Sequence, residues 1–148
     1  MRALNQIKFN YLYHEFSFSE RTRLKNFLVN MFKKEGFKID SINYIFCSDE
    51  YLLELNKVNL NHNTYTDIIT FPYSKNNEPI VADIFISVER VKENSKIFST
   101  NFKEELHRVI FHGALHLCGY KDKSHAEIQQ MRKMESLYLK KYFVPRET

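Results

Sequence analysis

Residues 111–122 read Phe-His-Gly-Ala-Leu-His-Leu-Cys-Gly-Tyr-Lys-Asp, and no other segment limits the fold as tightly. Phe111, Leu115 and Leu117 predict a partly buried helix. Gly119 stops it, because glycine adopts the left-handed conformation that reverses a chain. His112 and His116 stand four residues apart, so a helix places both imidazoles on one face, about 6 Å apart. Asp122, three residues beyond the glycine, can return to them as a third donor. Two imidazoles and a carboxylate suit a divalent cation, zinc above all, and leave a fourth position for water as catalytic zinc sites do. In a chain of this composition a His-x-x-x-His pair arises by chance about once in four, the full pattern about four times in ten thousand. The bland alternative is two helix histidines, a routine C-cap and a surface aspartate; it leaves two partly buried imidazoles unpartnered, which is costly. His125 is the rival third ligand.

Gly113 occupies the position at which His-Glu-x-x-His metallopeptidases carry their general base. Peptide hydrolysis of that kind lacks its base here. The glycine is expected to leave room beside the metal for a bulky group such as a phosphodiester. A metallopeptidase-like hydrolase and a non-catalytic metal-binding protein stay open as rivals.

The 148 residues suit one domain, residues 1–148. Hydrophobic residues at 43% and aromatics at 15% support a core and argue against long disorder. No apolar run approaches the ~20 residues of a membrane helix, and the first residues predict no signal peptide. Cys47 and Cys118 form no Cys-x-x-Cys pair and are expected as reduced, buried thiols of a cytoplasmic protein. A net charge of +4 and a pI of about 9.0 are compatible with a polyanionic partner such as RNA. Lys33-Lys34 and Lys140-Lys141 are expected at helix C-termini, where they complement the dipole.

Residues 6–12 and 38–47 alternate apolar and polar, as strands do. Ser19 is the expected N-cap of a helix to about Lys34, with Leu24, Phe27, Leu28, Met31 and Phe32 on one face and Gly36 at its end. Ser48 or Asp49 caps a helix to about Val58, with Leu52, Leu53 and Leu55 available to the core. A polar loop over 59–66 precedes a strand over 67–73 and a strand over 80–87, paired as a hairpin. Helices follow over 88–98, from Asn101 or Phe102 to Cys118, and over 125–142. The order predicts an α+β fold: a mixed sheet of about four strands with helices packed on it.

The segment HGALHLCGYKD resembles the signature His-Gly-x-Leu-His-Leu-x-Gly-Tyr-Asp-His of the YbeY endoribonucleases, the rRNA maturation factors. TDIITFP (66–72), VADIFIS (81–87) and MRKMES (131–136) resemble three further family segments in the same order, so the similarity spans about residues 50–140. The resemblance implies a zincin-like placement of one metal ion, most often zinc. It also implies single-strand-specific RNA cleavage, processing of the 3′ end of small-subunit ribosomal RNA and a role in ribosome quality control. RNA, as rRNA or the ribosome, is the implied partner, with neither DNA nor membrane. The family's third histidine falls on Asp122 and the Asp before it on Lys121. Leu60 stands where the family usually shows an arginine.

Asp67 and Asp83 are the cleft candidates for catalysis, with metal-activated water as the nucleophile and no evident general base. Thr66 and Thr70 are possible phosphate contacts, or ordinary strand residues. Tyr120 is expected to pack under the turn, Glu135 to be a helix-surface carboxylate, His62 to be a solvated loop histidine, and His14 and His107 to be surface or packing residues.

Overall fold

The computed structural model describes residues 6–60 and 66–144, without the side chains of 59 and 60. His62, most of the predicted polar loop and the side chain of Leu60 lie outside the described residues. Among these, the elements run β1 (Ile7–Tyr11), α1 (Arg21–Lys34), β2 (Ile39–Cys47), α2 (Asp49–Leu60), β3 (Ile68–Pro72), β4 (Ile80–Ser87), α3 (Val88–Ile97), α4 (Phe102–Leu117) and α5 (His125–Phe143). The sheet order is β1-β2-β4-β3. β1, β2 and β4 are parallel, and β3 is antiparallel to β4. The α+β architecture, the mixed four-stranded sheet and the β3–β4 hairpin are those expected from the sequence.

Alternation along the strands sorts the two sheet faces. Ile42, Tyr44 and Phe46 of β2 pair with Ala82, Ile84 and Ile86 of β4, and all six are buried. They form one face, covered by α1 and α4 through Leu24, Leu28, Phe32, Ile110, Phe111 and Leu115. Val81, Asp83 and Phe85 point to the other face. There a smaller cluster of Leu52, Cys47 and Ile69 packs with Leu55, Phe71 and Phe85 under α2. The buried Tyr44 hydroxyl donates to the Ile110 carbonyl at 2.9 Å, which ties the sheet to the middle of α4 without leaving a polar atom stranded.

Four helix starts follow side-chain caps, that of α3 through Ser87 Oγ, which accepts from the Arg90 N–H at 3.0 Å. Ser48 Oγ accepts from the Tyr51 N–H at 3.1 Å, Asn101 Oδ1 from the Glu104 N–H at 2.7 Å, and Ser124 joins Glu127 in a reciprocal capping box. Ser19 is not the cap of α1. The Glu20 carbonyl accepts the first intrahelical bond, from the Leu24 N–H at 3.2 Å, so Ser19 sits one residue outside and the N-cap Glu20 makes no side-chain bond. Lys33-Lys34 and Lys140-Lys141 occupy last turns as expected. No described helix is long and apolar enough to cross a membrane. Cys47 is buried, Cys118 is only half-buried, and neither is in a disulfide.

His14 is exposed, whereas His107 is a core residue. Its ring lies among Phe18, Phe111, Tyr142 and Phe143, and its Nδ1 is 2.8 Å from the Lys103 carbonyl, to which it donates. Burial, against that bond, pulls its pKa down to about 4. An unfolded histidine titrates near 6.5. The stability of the neutral buried ring is therefore complete above about pH 6.5 and is lost as pH falls to about 4, by about 3 kcal/mol in all. Urea unfolding of chelated protein at pH 7.5 and pH 5 tests this: His107→Gln should lose clearly less stability on acidification than wild type. Equal losses in both proteins would reject the assignment.

Candidate metal centre

α4 ends in a glycine reversal. Gly119 has φ +97°, its N–H reaches the His116 carbonyl and the Tyr120 N–H reaches the Leu115 carbonyl, both at 3.0 Å. This paired 5→2 and 6→1 closure is the Schellman motif. Tyr120 packs under the turn and its hydroxyl donates to Glu35 at 3.0 Å; Tyr138 of α5 donates to the same carboxylate. The reversal is thereby fastened to the end of α1 and to α5.

Beyond the turn the chain brings Asp122 back to α4. Its Oδ2 lies 3.2 Å from His116 Nε2 and 3.4 Å from His112 Nε2. The two imidazole centroids are 4.7 Å apart with the rings at 83°. One ligand atom from each of the three residues lies within 4.8 Å of the others, so the group can hold a metal ion. The chemistry of the donors fits: two imidazole nitrogens and one carboxylate oxygen, all half-buried at the wall of a cleft. His125 is not part of this group. It is the exposed first residue of α5, with its Nε2 3.2 Å from Gln129 Nε2.

Glu135 is not a surface carboxylate. It is 3% exposed, and its Oε2 lies 2.6 Å from His112 Nδ1. Its Oε1 accepts from Arg108 Nη1 at 3.0 Å, and Arg108 also reaches Ser136 Oγ at 3.3 Å. A carboxylate on Nδ1 fixes the imidazole orientation and leaves Nε2 for a metal. Burial disfavours the His112 imidazolium, but the bond and charge of Glu135, with Asp122 and Asp67, raise its pKa overall. The missed signal was position: Met131, Glu135, Tyr138 and Tyr142 lie along one stripe of α5, and a lone acid in an apolar stripe needs a buried partner.

Gly113 does not open space beside the metal group. A Cβ there would meet Ile68 Cδ1 at 2.9 Å and Ile84 Cγ2 at 3.2 Å, so the glycine lets α4 press on the β3–β4 hairpin. Overpacking costs about 1–3 kcal/mol, more than the roughly 0.5–1 kcal/mol alanine returns in a helix. Gly113→Ala should lower the urea midpoint with little change in slope. An unchanged midpoint would show that the hairpin gives way freely.

Asp67, just before β3, lines the cleft with His112 and Asp122. Burial pushes its carboxyl pKa up, against the pull of His112. Asp83 does not reach this cleft. It lies on the opposite sheet face, held by Asn43 at 3.0 Å and the Tyr73 hydroxyl at 3.0 Å. The period of two along β4 dictates this, since Ile84 faces α4. Thr66 and Thr70 line the cleft, a cavity of about 1690 Å³ between the metal group and the hairpin turn, with Lys38, Lys75 and Lys123 also on its wall.

The family described as Endoribonuclease YbeY matches residues 7–143 of the chain. An endoribonuclease YbeY of Flavobacterium psychrophilum is 49% identical over 138 residues, 93% of this chain and 97% of the relative. One of Cytophaga hutchinsonii is 48% identical over 130 residues, 86% of this chain and 91% of the relative. The solution structure of a Thermotoga maritima protein superposes with a TM-score of 0.64 at 25% identity, covering 93% of this chain and 89% of that one. With so long a match around the His112–Asp122 turn, the chain belongs to the YbeY endoribonuclease family.

Proposed function

We propose that this chain is a zinc-dependent endoribonuclease that cuts single-stranded RNA, acting in the cytoplasm on the 3′ end of small-subunit rRNA and in ribosome quality control. The observation that carries the reading is the convergence of His112, His116 and Asp122 on one open corner of a long cleft. Family membership supports RNA as the substrate. His112 Nε2, His116 Nε2 and an Asp122 carboxylate oxygen would hold the ion. A divalent cation there, when bound, supplies Lewis-acid polarisation of a phosphoryl oxygen and makes water more acidic.

The remaining work falls to the chain. Glu135 holds the Nδ1 side of His112 so that its other nitrogen faces the cleft. Lys38, Lys75 and Lys123 offer positive charge along the wall, suited to the phosphates of a strand. Asp67, its pKa raised by burial, is the group placed to take a proton from an oxygen attacking phosphorus. Gly113 leaves the helix without the base of a metallopeptidase.

The test is an unstructured RNA oligonucleotide incubated with purified, chelated protein and with zinc, manganese or magnesium restored in turn. Zinc should restore cleavage most strongly, and Asp67→Asn should cut at least tenfold more slowly while keeping its zinc. Cleavage that survives chelation, or an unstructured protein cut in place of RNA, would overturn the proposal.

A further inference from the structure

The metal group borders two cavities rather than one. Asp67, Ile68, His112 and Asp122 line both the long cleft and a second cavity of about 390 Å³ beyond them. Holding an ion does not call for the second one. Its far wall is built by Phe98 at the end of α3 and by Ile128 and Met131 of α5. Phe98 and Ile128 are 56% and 44% exposed, yet they share one concave site beside a reacting centre. That differs from scattered surface hydrophobics, which carry no meaning.

Asn94 and Arg132 add two polar groups to a lining that also holds Glu105, Arg108, Val109 and Glu135. The Asn94 side chain has no hydrogen-bond partner among the described residues, and an amide of this kind can both donate and accept. The Arg132 side chain is 60% exposed and makes only a 3.7 Å contact with Glu135, so its planar guanidinium can face a ligand. The size suits a small organic group. An aliphatic ligand would waste the amide and the guanidinium, and a bare phosphate would waste the ring. A flat ring with hydrogen-bonding edges, joined to a phosphate that reaches the metal group, uses all of them.

We propose that this second cavity receives one nucleobase of the RNA strand next to the cleaved phosphate, stacked on Phe98 and read at its edge by Asn94. The inference rests on the endoribonuclease reading above. The strand then crosses the metal group, with its other side in the lysine-lined cleft. Stacking on an aromatic side chain tolerates any base, whereas an asparagine amide discriminates between base edges.

The experiment measures fluorescence anisotropy of a labelled, unstructured RNA decamer with chelated protein, so that the strand stays whole. An abasic site is placed at each position in turn. In wild type, one position should weaken binding about tenfold when its base is removed. Phe98→Ala should bind the intact decamer about tenfold more weakly and become indifferent to that position. Phe98→Leu, which keeps apolar bulk without the ring, should behave like the alanine variant if stacking rather than folding is at issue. Asn94→Ala should keep the response to base removal but lose the preference among the four bases there. If no position responds, or if Phe98→Ala gives the wild-type scan, the base site is refuted while cleavage with zinc still stands. If the decamer neither binds nor, with zinc, is cut, the endoribonuclease reading itself fails.

Discussion

His112→Ala should empty the metal centre and silence RNA cleavage in one step. The imidazole is one of the three donors of the candidate group found among the described residues, and its loss leaves His116 and Asp122 as a two-point site. Elemental analysis after dialysis should find wild type loaded and the variant bare. Cleavage should fall about a thousandfold or more, the scale of losing electrostatic stabilisation at a reacting centre, to the level of chelated wild type. The protein should stay folded, because Glu135 keeps its bond to Arg108 and the ring lies at the cleft wall rather than in the core. His116→Ala should behave alike. A variant that keeps both its ion and its activity would remove the basis of the site.

The second large effect concerns Glu135, which lies outside the metal group and acts on it through His112. Glu135→Ala strands the Arg108 guanidinium in a mostly buried position and frees His112 to turn. Breaking a buried pair from one side costs about 3–5 kcal/mol, which in a chain of this size lowers the melting temperature by about 10 °C. That variant alone confuses folding with positioning. Glu135→Gln separates them, since it keeps the shape and an acceptor oxygen while losing the charge. It should melt clearly closer to wild type than the alanine variant does, yet bind zinc about 10–100-fold more weakly, as losses of such outer partners do. Zinc affinity equal to wild type in the glutamine variant would reduce Glu135 to a packing residue.

Much of this molecule was legible from residues alone, for identifiable reasons. The element order followed from period-2 and helical patterns, and the metal turn from His112, His116, Gly119 and Asp122, because local spacing on a helix translates directly into geometry. What stayed hidden depended on neighbours far along the chain. Gly113 reads as open space until the hairpin of β3 and β4 is laid against it. Asp67 and Asp83 look equivalent as strand carboxylates, and only the sheet's two faces send one to the cleft and the other to Asn43 and Tyr73. Glu135 reads as a solvated acid until α5 packs on α4 and joins it to Arg108 and His112. Ser19 missed the cap by one residue because the first intrahelical bond came from Glu20.

The two tyrosine hydroxyls on Glu35 bear on how the ion comes and goes. They clamp the reversal after α4 through the ends of two other helices, using groups that never meet the ligand. The entropy of arranging the pocket is thus spent during folding, and little remains to be lost on capture. An empty and a loaded molecule should share one hydrodynamic radius and nearly the same amide exchange along α4. A pocket braced in this way lets a metal ion leave and return without the reversal after α4 having to refold.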